Sequence, residues 1–257
     1  MNVLVTAGGT TERIDPVRAI TNTSTGALGA QIAEAFAAGA QVTRVFYVAP
    51  ARAVRPTSSK IEWIEVSDTA SVEAAVTRLL TDDKEKIDIA IHSMAISDYR
   101  IRAVTTSELL GTQLAEAAGL ADATLGDTPQ ATTRAKLFAS VIRETTGIDR
   151  TVKISSKVPD LVLLAEQTPK IIALFHELSP ATRLVGFKLL NGVDHEQLIG
   201  VASALLTSNH AQYVLANDLS EITDTQHVGY LVDPTGEVAQ FATKSEIAQG
   251  LVSALLR

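Results

Sequence analysis

The 257-residue chain has no cysteine, one tryptophan, four tyrosines and six phenylalanines. Without cysteine there is no disulfide, no thiolate nucleophile and no cysteine-ligated metal or iron–sulfur cluster. Aromatics at 4% leave few rings for the stacking platforms that bind single strands. A net charge of −7 and a pI near 5.3 also argue against a polyanion, so no nucleic acid partner is expected. No apolar run approaches the roughly 20 residues that a membrane helix needs, so no membrane association is expected. The Met1-Asn-Val-Leu-Val start has no basic leader or cleavage site, which predicts a cytoplasmic protein. The five histidines, His92, His176, His195, His210 and His227, show no metal-ligand spacing, so no protein-held metal is expected.

What is present is an ordinary globular mixture, 46% hydrophobic and 20% charged, rich in Ala, Val, Ile and Leu. Short apolar runs at Asn2–Thr6, 42–48, Ile61–Val66, 87–92, 184–190 and 213–216 read as strands. Between them lie helical patterns. One is capped by Ser24 or Thr25 and places Leu28, Ile32 and Phe36 on one face, another spans Thr69–Leu80, and others open at Thr168-Pro169 and at Asp194. The 229–232 and 238–241 runs flank an Asp233-Pro-Thr-Gly236 turn, and Thr243-Lys-Ser-Glu246 is a capping box. This alternation predicts an α/β fold, a doubly wound, mostly parallel Rossmann-like sheet within one domain over 1–257. Residues 101–152 break the pattern. They are Thr- and Ala-rich, with helices expected at 105–118 and 132–145, and read as an inserted lid or dimerisation segment. Lys153-Ile-Ser-Ser and 161–164 read as strands resuming the sheet.

Ser24-Thr-Gly-Ala-Leu-Gly29 looks at first like the phosphate turn of a nicotinamide-dependent reductase. That fingerprint needs strand, glycine turn and helix in immediate succession. Here Gly8-Gly9 and the helix at Ser24 are about fourteen residues apart, and the second strand ends in Val48-Ala49-Pro50-Ala51-Arg52 without an acid for a ribose hydroxyl. The residues four after Tyr47, Tyr99, Tyr213 and Tyr230 are Ala51, Ala103, Asn217 and Pro234, so the tyrosine–lysine pair of a short-chain reductase is missing. A phosphate site survives in outline. Gly8, Gly9 and Thr10 offer unhindered N–H groups, and Ser24, Gly26 and Gly29 open a helix whose dipole favours an anion. Glycines alone fit a helix start packed tightly on a sheet equally well.

The order of the motifs goes further. Thr6-Ala-Gly-Gly-Thr10, Ile14-Asp-Pro-Val-Arg18, Ile20-Thr-Asn22-Thr-Ser24-Thr-Gly26, Met94-Ala-Ile-Ser-Asp98-Tyr-Arg, Lys153-Ile-Ser-Ser, Thr168-Pro-Lys170, Val185-Gly-Phe187-Lys188 and Leu215-Ala-Asn217-Asp218-Leu-Ser220 follow one another. The chain resembles phosphopantothenoylcysteine synthetase (phosphopantothenate–cysteine ligase) over nearly its whole length except 101–152, and looks like the stand-alone bacterial form. The resemblance implies a ligase joining 4′-phosphopantothenate to L-cysteine through an acyl-nucleotide, releasing pyrophosphate, in coenzyme A synthesis. It implies CTP, with ATP as the alternative, Mg²⁺ arriving with the nucleotide, no flavin, a homodimer, and a separate decarboxylase acting next.

By the same resemblance Lys153 serves acyl-nucleotide formation and Asn22 holds the intermediate. Arg18 reaches the neighbouring protomer's substrate phosphate, and Met94, Ala95 and Asp98 line the pantothenate site. Gly8, Gly9, Ser24, Gly26, Gly29, Lys153, Phe187, Lys188 and Asn217 hold the nucleotide, with Lys170 assisting phosphates. Some members carry further lysines after the one matched by Lys153. Here Ser155-Ser156 intervene before Lys157.

Overall fold

The computed structural model describes residues 1–125, 131–223 and 225–256, leaving aside the side chains of 120–125. In chain order the elements are β1 (Asn2–Thr6), β2 (Thr11–Arg13), β3 (Ala19–Thr21), α1 (Ala27–Ala38), β4 (Arg44–Pro50), β5 (Ile61–Val66), α2 (Thr69–Leu80), β6 (Ile89–His92) and β7 (Tyr99–Thr105). They continue with α3 (Ser107–Leu125), α4 (Ala131–Glu144), β8 (Val162–Gln167), α5 (Ile171–Leu178), β9 (Arg183–Leu190), α6 (His195–Ser208), β10 (Tyr213–Asp218), β11 (Gly229–Asp233), β12 (Gly236–Phe241) and α7 (Lys244–Leu255). The chain divides into two compact units. The first takes Met1–Thr11, Thr21–Ser97 and Pro169–Arg257, the second Glu12–Ile20 and Asp98–Thr168.

The first unit is an eight-stranded sheet in the order β12-β11-β10-β9-β6-β1-β4-β5. Its pairings from β5 through β10 are parallel, and β11 and β12 add an antiparallel edge. Central strands must be apolar on both faces, and β1, β4 and β6 are buried almost throughout. One face packs against α2, α5 and α6 through Val72, Val76, Phe175 and Leu198. The other packs against α1 and α7 through Ile32, Phe36, Ile247 and Leu251. Full burial of Phe36 contributes about 1.5–3 kcal/mol. Strand order reverses between β1 and β6, and the crevice beyond their carboxyl ends is where such sheets bind ligands.

The second unit is built on an antiparallel ribbon, β7 against β8 from Tyr99↔Gln167 to Thr105↔Val162, together with α3 and α4. The segment expected as an insertion at 101–152 is therefore part of a larger body, and its residues 126–130 lie outside the described ones. Two expected strands behave differently. Of residues 161–164, Val162 to Leu164 pair in this ribbon and not in the main sheet, while Lys153-Ile-Ser-Ser is irregular chain. Two helix starts also differ. Helix α1 begins after Gly26 with no side-chain cap, in place of the expected Ser24 or Thr25, and α5 begins after Lys170. Asp194 and Thr243 cap their helices as the sequence predicts.

Helix α1 sits unusually close to the sheet. A Cβ at Gly29 would stand 2.4 Å from that of Ala7 and 2.9 Å from Ser93 Oγ. Gly200, in the middle of α6, faces open space. Both glycines weaken their helices by about 1 kcal/mol relative to alanine. Overpacking costs about 1–3 kcal/mol, so Gly29→Ala is expected to lower stability while Gly200→Ala raises it by up to about 1 kcal/mol. Urea midpoints that rise for both variants would contradict the close approach.

Candidate functional site

A cleft of about 570 Å³ opens in the first unit. Its walls come from 22–29, the segment from β3 into α1, and from the carboxyl ends of sheet strands: 93–95 after β6, 187–189 in β9, and Asn217, Leu219 and Ile222 in and after β10. His227 and Lys244 complete it. Among the described residues no aspartate or glutamate lines it, although the chain carries 29 acidic residues.

Gly26 adopts φ +73, a left-handed conformation that L side chains rarely take, and α1 starts at the next residue. The first intrahelical bond is Ala30 N–H to Gly26 O at 2.9 Å. The Ala27 N–H reaches only Thr25 Oγ1 at 3.4 Å, and those of Leu28 and Gly29 find no acceptor among the described residues. These donors border the cleft, where the helix dipole favours an anion by about 0.3–1 kcal/mol. Lys188 and Lys244, both half-buried and without a carboxylate partner among the described residues, add positive charge to the same lining.

Asn22 is held on several sides. Its N–H donates to Thr10 O at 3.1 Å, its Nδ2 to Ala95 O at 2.8 Å, and its carbonyl accepts from Arg52. Met94 is buried in the core beneath the cleft wall it helps to form. Phe187 is half-buried and offers a ring to the cleft. Asn217 is 5% exposed, and its Nδ2 donates to Val228 O, so one of its donors fastens β10 to the approach of β11. A Cβ at Gly229 would meet that amide nitrogen at 3.1 Å.

Beside Asn217, the Asp218 carboxylate organises the rim. It accepts from the Ser220 hydroxyl at 2.6 Å and from the N–H groups of Gly192, Val193 and Ser220. The Ser220 hydroxyl first, then these N–H groups, hold the Asp218 carboxyl well below the usual carboxylate range. Burial, then the charge of Lys244, lowers the pKa of His227 from its ordinary value, so the ring is neutral at pH 7.

Gly8 and Gly9, expected to hold phosphate, do not line the cleft. They allow close stacking: a Cβ at Gly8 would meet Pro50 at 2.9 Å and one at Gly9 would meet Asn22 O at 2.6 Å. Of the remaining expected residues, Lys170 precedes α5 in the first unit, away from the cleft lining, and Arg18, Lys153 and Asp98 belong to the second unit. There Arg18 Nε and Nη2 clasp Asp15 Oδ2 at 2.9 and 2.5 Å, and Nη2 also donates to Ile154 O at 2.8 Å. Ile154 N–H returns to Asp15 Oδ2, which fixes the chain next to the exposed Lys153. The structure thus brings Arg18 and Lys153 into one patch, with Arg18 Nη1 unused among the described residues. Arg18 holds the Asp15 carboxyl far below its ordinary range. Asp98 is exposed at the start of the same unit.

The sequence did not single out His227 and Lys244 as site residues. Their one clue is topological: each begins the chain's return from the carboxyl end of the sheet. Among the described residues no group of three or more metal-ligating side chains gathers, and no helix is long and apolar enough to cross a membrane.

A mostly parallel sheet with this cleft and an open helix start at its switch point defines an α/β domain of the kind that binds ligands beyond its strand carboxyl ends. The sequence profile of the DNA/pantothenate metabolism flavoprotein C-terminal domain matches residues 1–121. The coenzyme A biosynthesis bifunctional protein CoaBC of Thermococcus kodakarensis is 32% identical over 254 residues, 97% of this chain and 49% of that protein. The chain spans about half the length of this curated relative. The crystal structure of the DNA/pantothenate metabolism flavoprotein from Streptococcus pneumoniae superposes with a TM-score of 0.78 and 31% identity, covering 100% of this chain and 98% of that one. A Cab2 mutant in complex with phosphopantothenate-cysteine shares the fold, at a TM-score of 0.62 and 16% identity. The chain belongs to the family of DNA/pantothenate metabolism flavoprotein C-terminal domains.

The Asp218 contacts set a pH dependence. Its folded pKa lies below the unfolded value near 3.9, so its stabilisation is complete above about pH 5 and is lost as the pH falls through the unfolded and then the folded value. Asp218→Asn is expected to lower stability at pH 7 and to flatten the acid limb of the urea midpoint against pH. An unchanged limb in the variant would contradict the assignment.

Proposed function

We propose that this chain is a phosphopantothenate–cysteine ligase that uses a nucleoside triphosphate, CTP in our reading. The observation that carries it is the cleft at the switch point, without an acid among the described residues, where the open start of α1, Lys188 and Lys244 meet an apolar wall holding Phe187. The family membership and the ordered motifs support the same reading.

A carboxylate is a poor electrophile and must be activated. The 4′-phosphopantothenate carboxylate oxygen attacks the α-phosphorus, the bond to the β-phosphate oxygen breaks, and pyrophosphate leaves. The cysteine amine then attacks the acyl carbon, CMP departs with the acyl oxygen, and the amine loses a proton. Negative charge grows on phosphate oxygens in both steps, so cations and fixed N–H donors carry the catalysis. Lys153 neutralises charge in the first step, and the Asn22 amide hydrogen-bonds the acyl-nucleotide. Met94, Ala95 and Asp98 take the pantothenate portion, and Arg18 grips the substrate phosphate across a homodimer. Among the described residues the lining offers no carboxylate, so Mg²⁺ would be held by phosphate oxygens and water.

Pyrophosphate release with CTP or ATP, 4′-phosphopantothenate and cysteine tests this directly. Lys153→Gln should slow acyl-nucleotide formation by about 10²-fold or more. Asn22→Asp should form the intermediate poorly or let it escape. Wild-type protein that releases no pyrophosphate with either nucleotide would refute the reading, and two fully active variants would refute the residue roles.

A further inference from the structure

We propose that Arg52 is a positioning residue, the guanidinium that sets Asn22 in the cleft wall; this rests on the ligase reading above. Arg52 follows β4, the place where dinucleotide-binding sheets keep an acid for a ribose hydroxyl. Its Nη2 donates to Gly9 O at 2.8 Å and to Asn22 O at 2.9 Å. No carboxylate pairs with Arg52 among the described residues, so its charge is spent on these two carbonyls. Charge-assisted bonds of this kind are about twice as strong as neutral ones.

The two carbonyls come from different loops, one after β1 and one leading to α1. Both reach the same nitrogen because the loops stack at a separation that a Cβ at Gly9 would violate. Neighbouring contacts extend the brace: Val54 N–H donates to Thr25 O at 3.0 Å, and the buried Tyr47 hydroxyl lies 3.1 Å from Val54 O and 3.3 Å from Gly26 O. Arg52 thus fastens one end of a segment whose other end is the start of α1. Asn22 then has its N–H, its carbonyl and one amide donor engaged, while Oδ1 keeps no partner among the described residues.

The guanidinium is exposed, so its removal leaves the core intact. In Arg52→Ala the Asn22 carbonyl loses its charged partner and the Asn22 N–H keeps its bond to Thr10 O, while Lys188, Lys244 and the α1 N–H groups stay in place. The expected result is a split: the nucleotide KM changes by less than about twofold, whereas kcat for amide formation falls about tenfold, the scale on which small misplacements act. The intermediate escapes, so the variant releases more pyrophosphate than amide product, where the wild type releases them one for one. Added guanidinium ion at millimolar concentration restores the coupling in Arg52→Ala and not in Asn22→Ala. Arg52→Lys, whose ammonium is a point donor without the planar fork, falls between.

Equal amounts of pyrophosphate and amide from Arg52→Ala, or uncoupling that guanidinium does not repair, would overturn the proposal. Wild-type protein that releases no pyrophosphate would instead remove the ligase reading beneath it, so the two failures are read from different samples.

Discussion

Helix α1 can begin beside the end of β1 only because three glycines let backbone approach backbone. Gly29 lies against Ala7 and Ser93, and a Cβ at Gly26 would stand 3.1 Å from the Gly8 nitrogen. Gly8 and Gly26 also take positive φ, which few other residues tolerate. This approach brings the unbonded N–H groups of the first turn to the switch point between β1 and β6. A side-chain cap would have satisfied them internally. The cleft therefore inherits donors and dipole from the packing of one helix on one sheet.

Two acids elsewhere in the molecule are spent on internal hydrogen bonds. Asp218 ties the loop after β9 to the turn after β10, and in the second unit Asp15 clasps Arg18 and the chain beside Lys153. Each acid whose pKa falls farthest is occupied with internal hydrogen bonds. Among the described residues this chain of net charge −7 places no acid in the cleft lining.

The central sheet was legible in the sequence because buried parallel strands are short continuous apolar runs, as in Val3-Leu-Val5 and Ile89-Ala-Ile91. Helices with polar caps were equally plain, as at Asp194 and Thr243. The β7–β8 ribbon was not. Tyr99–Thr105 mixes arginine with aliphatics, and its partner lies more than fifty residues away, so no local signal announces the pairing. The α1 start was misplaced by one or two residues because Ser24 and Thr25 have the chemistry of caps, while tertiary packing selected Gly26. Site residues that motif order marked, such as Asn22 and Phe187, reached the cleft. Gly8 and Gly9 show the limit of composition: both lie where backbones stack closely, a feature that glycine-rich phosphate loops share. His227 and Lys244 are single residues on separate connections, and only the fold brings them together.

The central claim is that nucleotide phosphates bind at the open start of α1. Backbone amide resonances of ¹⁵N-labelled protein during a CTP titration test it most directly. The N–H signals of Ala27, Leu28 and Gly29 should shift strongly and saturate together with those near Lys188 and Lys244. Saturable CTP binding that leaves these three amides unmoved would contradict the account.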